Sequence, residues 1–209
     1  MPVPFLGEQY SGYRAQEQAL RFGMWVFIAS ETLLFGGLFA LYAAYRGMYS
    51  ADFDVAIRHN TIAYGTANMY ILLSSSFTVA LAVWAIRRGR PRLTVGLLLA
   101  TLALGAAFLV LKLLEYGVHI REGALPGPLY RYAELPTFGA NRFFTLYWGM
   151  TGLHALHVAA GMCVLAWLTV RAALRRYTAR HHTTLEMGTL YWHLVDIVWL
   201  FLWPLLYLT

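Results

Sequence analysis

Residues 190–208 read LYWHLVDIVWLFLWPLLYL, an apolar run long enough to cross the hydrocarbon core of a membrane, and two titratable residues, His193 and Asp196, lie inside it. Such residues are rare in membrane spans, because an Asp near the bilayer centre costs about 2.5–3.5 kcal/mol on insertion scales. His193 and Asp196 are three positions apart and are therefore neighbours on one helix surface. A carboxylate at this depth is a candidate functional group that requires a polar partner on another helix.

The whole chain has the composition of an integral membrane protein. Hydrophobic residues make up 59% of its 209 positions and charged residues 12%, whereas soluble domains contain about 25% charged residues. The formal net charge of +6 comes from arginines in short loops, a pattern that sets membrane orientation, and we therefore expect no nucleic-acid partner. The single cysteine, Cys163, lies in an apolar run and is expected to be a buried, inert thiol.

Five apolar runs are long enough to span about 30 Å of hydrocarbon. Since no water is available there to satisfy backbone polar groups, each run must be helical. The sequence therefore predicts an all-α membrane protein, a five-transmembrane-helix bundle that forms a single domain over residues 1–209. The predicted spans are about 22–45, 67–86, 93–116, 143–170 and 189–208.

The loops between the predicted spans differ in charge. The loops after the second and the fourth span are rich in arginine, whereas the other two loops mix acidic and basic residues. Because arginine-rich loops stay in the cytoplasm, we expect a cytoplasmic N-terminus and a periplasmic C-terminus. The loop arginines are Arg87, Arg88, Arg90 and Arg92, and Arg171, Arg175, Arg176 and Arg180.

Polar residues occur at similar depths in three of the spans, at about 1.5 Å of rise per residue. Glu31 lies in the first span, His154 and His157 in the fourth, and His193 and Asp196 in the fifth. Isolated charges at this depth would be neutralised or expelled. We therefore predict one buried polar cluster in which carboxylates and imidazoles satisfy each other. The alternative is that such pairs serve only to hold helices together.

Two further pairs lie towards the ends of spans. His182 and Glu186 continue the polar face of the last span and predict a polar ridge from the cytoplasmic loop towards the midplane. Lys112 and Glu115 lie three apart near the outer end of the third span. Snorkelling of the lysine and mutual pairing predict an outer-interface pair there.

We expect neither a metal nor another cofactor in this chain. Carboxylate-bridged sites in bundles use Glu-x-x-His on paired helices, which this sequence lacks, and a thiolate copper site needs a cysteine outside the apolar core. Haem ligation stays open, since it needs only an axial histidine that faces a pocket. A stand-alone transporter would also need midplane carboxylates, but no inverted repeat is visible and Pro204 is the only proline within a span.

Several blocks of the sequence resemble subunit III of the haem–copper oxidases. The resemblance covers all five spans in order, so it does not rest on a single motif. The blocks are GMWVFIASETLLF (23–35), ILLSSSFTVALA (71–82), FLVLKLLEY (108–116), FFTLYWGMTGLHALHV (143–158) and HHTTLEMGTLYWHLVDIVWLFL (181–202).

The resemblance implies a function that the residues alone did not indicate. Members of that family carry no redox centre, pack beside the catalytic subunit I that holds the haems and the copper, with subunit II, and bind phospholipid. They stabilise the catalytic subunit and support proton uptake. By resemblance, this chain is the five-helix form from a bacterial inner membrane, in an oxidase that takes electrons from cytochrome c. A quinol oxidase subunit III and a nitric oxide reductase accessory protein are the alternatives within the family.

The resemblance also implies roles for particular residues. Glu31 matches the family's intramembrane glutamate, known for carbodiimide reactivity, and His157 matches the histidine associated with it. A phospholipid is expected to bind against Arg21 or Arg58. No family rule is known to us for Lys112. Further matches to motif positions are Glu115, His154, His182, Glu186, His193, Asp196 and Trp199.

Overall fold

The computed structural model describes residues 12–179 and 181–208, and over these residues the chain is helical, without a β-strand. Five of its helices are long and apolar enough to cross a membrane, which confirms the predicted all-α five-span bundle. The helices are α1 (Tyr13–Met48), α2 (Ser50–His59), α3 (Ile62–Arg87), α4 (Pro91–Glu122), α5 (Phe138–Ala173) and α6 (Thr183–Tyr207), with one 3-10 turn at Gly127–Leu129.

Each long helix begins before its predicted apolar run, and local sequence explains where several of them start and stop. Pro91 opens α4, where its missing N–H costs nothing. Gly123 ends α4 in a left-handed conformation, with φ 78°, which glycine adopts without steric penalty. The Thr137 hydroxyl accepts a hydrogen bond from the Ala140 N–H at the start of α5, an ordinary N-cap.

The short helix α2 was not predicted. It follows α1 after one residue, and its buried residues Phe53, Ala56 and Ile57 form one apolar face that packs against α5. The spacing of these residues by three and one is the amphipathic signal that could have revealed it.

Helices α3, α4, α5 and α6 form a ring in which each packs against two neighbours, and α1 lies outside the ring against α5 and α6. Only Phe35 and Tyr42 of α1 are buried. Most of this apolar helix therefore faces a membrane or another protein.

Trp192 of α6 fills the centre of the ring. A Cβ atom added at Gly105 or at Gly161 would lie 2.9 Å from the Trp192 ring, so α4 and α5 reach the indole only because these positions lack side chains. The Trp192 indole N–H donates to Ser75 Oγ at 3.0 Å. This residue thus joins four helices.

Two residues singled out in the sequence, Cys163 and Arg180, do not follow the predictions or lie outside the described residues. Cys163 is exposed on the bundle surface, so the prediction of a buried thiol is wrong: an apolar run fixes membrane depth but not which face of the helix looks inward. Arg180, one of the loop arginines, lies outside the described residues.

Candidate functional site

The predicted polar cluster contains one carboxylate–imidazole pair, between α1 and α5. Glu31 Oε2 lies 2.8 Å from His157 Nε2, and both side chains are 15% exposed. His157 Nδ1 lies 2.8 Å from the Leu153 carbonyl, which can only accept, so Nδ1 carries a hydrogen. The Nε2–Oε2 contact therefore holds one further proton, shared between imidazole and carboxylate.

His154 lies apart from this pair. Its ring is fully buried between Phe108 and Trp199, with centroid distances of 5.5 and 5.1 Å. Neither ring nitrogen bonds any residue that the structure describes. Three positions on a helix leave about 60° between two side chains, which is enough to turn His157 towards α1 and His154 into the ring of helices.

His193 and Asp196 do not satisfy each other either, so the prediction of a single cluster is wrong. His193 Nδ1 lies 2.7 Å from Ser76 Oγ of α3. Asp196 is only 5% exposed, and its two oxygens accept no hydrogen bond from the described residues. The Ser76 hydroxyl on α3 can satisfy an uncharged His193 imidazole without the burial of a second charge. His193 therefore bonds to α3 and not to Asp196.

The predicted ridge of His182 and Glu186 lies where the start of α6 meets α1 and the end of α3. His182 Nε2 lies 3.0 Å from Glu186 Oε1. Glu186 also receives Arg87 of α3 at 2.5 Å and Arg21 of α1 at 3.5 Å. Arg21 thus pairs with Glu186, whereas Arg58 is exposed on α2, and a phospholipid at either arginine stays a prediction.

Lys112 and Glu115 depart most from expectation. Both are 1% exposed, so the prediction that the lysine snorkels to the outer interface is wrong, whereas their predicted mutual pairing is confirmed. Lys112 Nζ donates at 2.9 Å to Glu115 Oε2, to the Tyr147 hydroxyl and to the Tyr207 hydroxyl. The two hydroxyls in turn donate to Glu115 Oε1, at 2.8 Å from Tyr147 and 2.5 Å from Tyr207.

Every donor of this four-residue network has an acceptor, and the count fits an ammonium and a carboxylate. An ammonium has three hydrogens and Lys112 uses three, whereas neutral tyrosines each supply one hydrogen and each supply one here. As a carboxylate, Glu115 accepts the hydrogen bonds from Lys112, Tyr147 and Tyr207. The lysine stays buried because its charge is paired and fully hydrogen-bonded, the condition under which buried charges are tolerated.

A polar path leads from this network towards the loops at the end opposite the arginine-rich loops. His119 lies 3.0 Å from the Glu115 carbonyl and 3.0 Å from Asn60 Oδ1, and Asn60 Nδ2 donates to the Leu206 carbonyl at 2.8 Å. Beyond it, the Tyr132 hydroxyl contacts His59 and donates to Glu134 at 2.8 Å. Burial and the Glu134 carboxylate raise the pKa of Tyr132, so this hydroxyl stays a neutral donor.

The sequence interpretation missed the partners that complete the network. Tyr147 and Tyr207 look like packing aromatics in an apolar run, and Asn60 like an ordinary loop residue. The only available signal was the three-residue spacing of the lysine and the glutamate, which locates a pair but not the helices around it.

Within residues 12–179 and 181–208, no three His, Cys, Asp or Glu side chains converge in a way that could hold a metal ion. The polar groups instead occupy separate helix seams. What this arrangement can do chemically is hold protons and charges at fixed places inside the bundle.

Comparisons with known proteins agree on one family. The model of the family described as cytochrome c oxidase subunit III matches residues 7–209. The chain is 35% identical over 191 residues to cytochrome c oxidase subunit 3 of Thermostichus vulcanus, which covers 89% of this chain and 85% of that protein. It is 28% identical to quinol oxidase subunit 3 of Bacillus subtilis strain 168 (89% and 85% covered). It is 29% identical to cytochrome bo(3) ubiquinol oxidase subunit 3 of Pseudomonas aeruginosa (90% and 83% covered).

Proposed function

For this chain, which belongs to the cytochrome c oxidase subunit III family and is therefore a subunit III of a haem–copper oxidase, we propose a non-catalytic role in a proton-pumping terminal oxidase. It packs beside subunits I and II in a bacterial inner membrane. The haems and the copper belong to the partner subunits, and this chain stabilises the catalytic subunit and supports its proton uptake.

The observation that carries the proposal is the Glu31–His157 pair. It holds one proton between two titratable atoms, 2.8 Å apart, at the seam where α1 joins the ring. Because the Leu153 carbonyl fixes the tautomer of the imidazole, gain or loss of a proton takes place at the side of His157 that faces Glu31. Such a pair buffers protons without a large movement of the protein.

A matched pair of variants in the assembled oxidase tests this role. Glu31→Gln keeps the shape and removes the carboxylate, and Glu31→Ala also removes the contact with His157. Both are expected to assemble and to begin at nearly the wild-type rate of oxygen consumption, and then to inactivate faster during turnover. Asp54→Asn, on α2 and with a side chain that is 52% exposed, is the control. Wild-type inactivation kinetics in both Glu31 variants would contradict the proposal.

The electron donor is cytochrome c in this proposal, and a quinol is the second candidate. Relatives with either donor in their names align over similar shares of this chain. Oxygen consumption by the purified complex with reduced cytochrome c and, separately, with a quinol distinguishes the two. Activity with quinol alone would replace the first candidate by the second.

We also propose that an anionic phospholipid headgroup binds at the arginine-rich end. A crevice of about 170 Å³ lies there, between the start of α1 and the α5–α6 loop, and its lining includes Arg171, Arg176 and Tyr177. The Tyr177 hydroxyl is buried and has no hydrogen-bond partner among the described residues. Burial raises the pKa of Tyr177 to about 12, so the hydroxyl is available as a neutral donor to a phosphate.

Lipid analysis of the purified oxidase checks the headgroup site. Arg176→Gln is expected to lower the amount of anionic phospholipid retained, whereas Arg92→Gln, in the other arginine-rich loop, is expected to leave it unchanged. Equal lipid content in wild type and Arg176→Gln would remove the headgroup site and leave the oxidase role intact.

A further inference from the structure

A groove runs along the membrane-facing seam between α3 and α6. It has a volume of about 660 Å³, and its lining includes Ser74, Phe77 and His193. Beneath it lies a cavity of about 40 Å³ whose lining includes Asp196. Ser76 lines both spaces, so the carboxylate lies directly behind the wall of an open groove.

Asp196 is the only carboxylate among the described residues with neither oxygen exposed nor hydrogen-bonded. The hydroxyls of Ser75 and Ser76 face it, but Ser75 donates to the Leu72 carbonyl at 2.8 Å and Ser76 bonds His193. A buried acceptor left without a donor costs free energy, more so when it is charged. The described residues therefore offer this group only hydroxyls that already bond elsewhere.

Lipid cannot supply the missing group. Acyl chains carry no hydrogen-bond donor, and His193 and Asp196 lie well inside a membrane-spanning helix. A neighbouring protein helix does carry donors, and small residues at its contact surface allow close approach. The α3 side of the groove includes the small residues Ser74 and Ala80 together with the larger Leu73 and Phe77. Phe77 is 65% exposed and Leu73 is 50% exposed.

We propose that a transmembrane helix of another oxidase subunit docks in the α3–α6 groove and that one of its side chains donates a hydrogen bond to Asp196. The inference rests on the proposed function, which supplies a multi-subunit complex. The Asp196 carboxyl group calls for a hydrogen-bond donor. The cavity that it lines has room for the end of one side chain, such as a hydroxyl, an indole N–H or an ammonium group. The occupant is thus a helix with one polar donor on an otherwise apolar face.

Photo-crosslinking in intact membranes tests the docking surface. The photoreactive residue p-benzoylphenylalanine replaces Phe77 in the groove, or Leu113 on the outer face of α4 as a control, where the side chain is 68% exposed. We expect the groove position to give an adduct with another oxidase subunit and the control position to give lipid adducts. Haem absorbance of the complex purified through a tag on this chain reports assembly.

Three variants then test the role of the carboxylate. Asp196→Leu is expected to weaken association with the partner about tenfold, because the acceptor of the hydrogen bond between the helices is lost, whereas Asp196→Asn keeps an acceptor and most of the association. Ser74→Trp fills the groove without touching Asp196 and is expected to abolish the adduct. Thermal unfolding of each isolated chain controls for a folding defect.

The outcomes separate this inference from the function on which it rests. Lipid adducts alone at Phe77, in a complex that still carries haem, would overturn the docking surface and leave the oxidase role standing. A subunit adduct that survives both Asp196→Leu and Ser74→Trp would also overturn it. Purification of this chain without any haem protein would overturn the oxidase role and the inference together.

Discussion

At the scale of single residues, the network around Lys112 and Glu115 depends on all of its members at once. We expect Lys112→Met to destabilise the protein by about 3–5 kcal/mol, because it leaves a buried carboxylate without its counter-charge. Glu115→Leu should cost a similar amount for the same reason. The double variant Lys112→Met/Glu115→Leu should lose less than the sum of the two, since it buries no unpaired charge.

Denaturant unfolding in detergent micelles, followed by tryptophan fluorescence, measures this coupling. Lys112→Arg is a useful further variant, because it keeps the charge but changes the donor geometry around the two tyrosines. Strictly additive losses in the double variant would show that the two side chains do not act as the ion pair described here.

The two histidines of α5 should respond oppositely to the same substitution. His154 is buried without a hydrogen-bond partner among the described residues, and burying such a group costs about 1–3 kcal/mol. His154→Leu, which conserves most of the volume, should therefore raise stability by about that amount. His157→Leu should lower stability, because Glu31 then lacks the partner that lies 2.8 Å away.

Unfolding of both variants under identical conditions makes each the control for the other. Destabilisation by His154→Leu would mean that the imidazole has a polar partner in the assembled complex or a bound water. That result would move His154 from a packing residue to a candidate functional one.

The sequence predicted which polar residues lie within the long apolar helices, and the family resemblance paired Glu31 with His157, but the other pairings did not follow. Helix periodicity places His154 and His157 on neighbouring parts of one helix, but it does not give the rotation of that helix relative to α1. The burial of Lys112 was missed for a related reason. Its acceptors, Tyr147 and Tyr207, come from helices whose register against α4 is set by packing, and no local pattern reports packing.

At the scale of secondary-structure elements, the close contact of α4, α5 and α6 depends on glycines around Trp192. An added Cβ at Gly161 would approach the Trp192 ring to 2.9 Å, whereas one at Gly149, on the same helix, would meet nothing within 4 Å. Both Gly→Ala changes gain about 1 kcal/mol of helix propensity. Only Gly161→Ala also adds the overpacking penalty of about 1–3 kcal/mol.

We therefore expect Gly149→Ala to be neutral or stabilising and Gly161→Ala to be less stable than Gly149→Ala by about 1–3 kcal/mol. Parallel unfolding measurements on the two variants give this difference directly. Equal stabilities would mean that α5 shifts away from the indole without cost, in which case Trp192 does not set the spacing of these helices.

The five long helices followed from apolar run length because a membrane allows only one backbone solution for such runs. Their ends did not follow, since helices such as α1 continue past the apolar run into the interface. The short helix α2 was hidden by the mixed charges of its loop: Asp52, Asp54 and Arg58 lie among its buried apolar residues. Only the three-dimensional contact with α5 shows why that segment is ordered.

At the scale of the whole molecule, the described bundle presents large apolar surfaces that it does not cover itself. Most of α1 is exposed, including Phe22 and Leu33 at 73% and 77%, and the α3–α6 groove lies over the cavity that Asp196 lines. In a membrane protein, exposed apolar surface alone is compatible with lipid contact. The polar group in the α3–α6 groove is what distinguishes that face as a surface for protein.

The orientation that loop charge predicts for the bundle can be tested by labelling. In a Cys163→Ser background, we expect Ala133→Cys, in the α4–α5 loop, to react from outside the cell with a membrane-impermeant maleimide. Leu174→Cys, in the arginine-rich α5–α6 loop and 64% exposed, should react only after the membrane is permeabilised. Neither change alters the loop charges that retain arginine-rich segments in the cytoplasm.

Labelling of both cysteines in detergent confirms that each thiol is reactive when accessible. The reverse pattern in intact cells would place the Glu186 ridge and the headgroup crevice on the outer side, where they cannot contribute to proton uptake from the cytoplasm. The fold would be unaffected, since helix packing does not depend on which side of the membrane each end faces. The ridge and the crevice would then have no part in proton uptake, whereas the Glu31–His157 pair and the docking groove between α3 and α6 would remain, because their positions depend on helix seams and not on orientation.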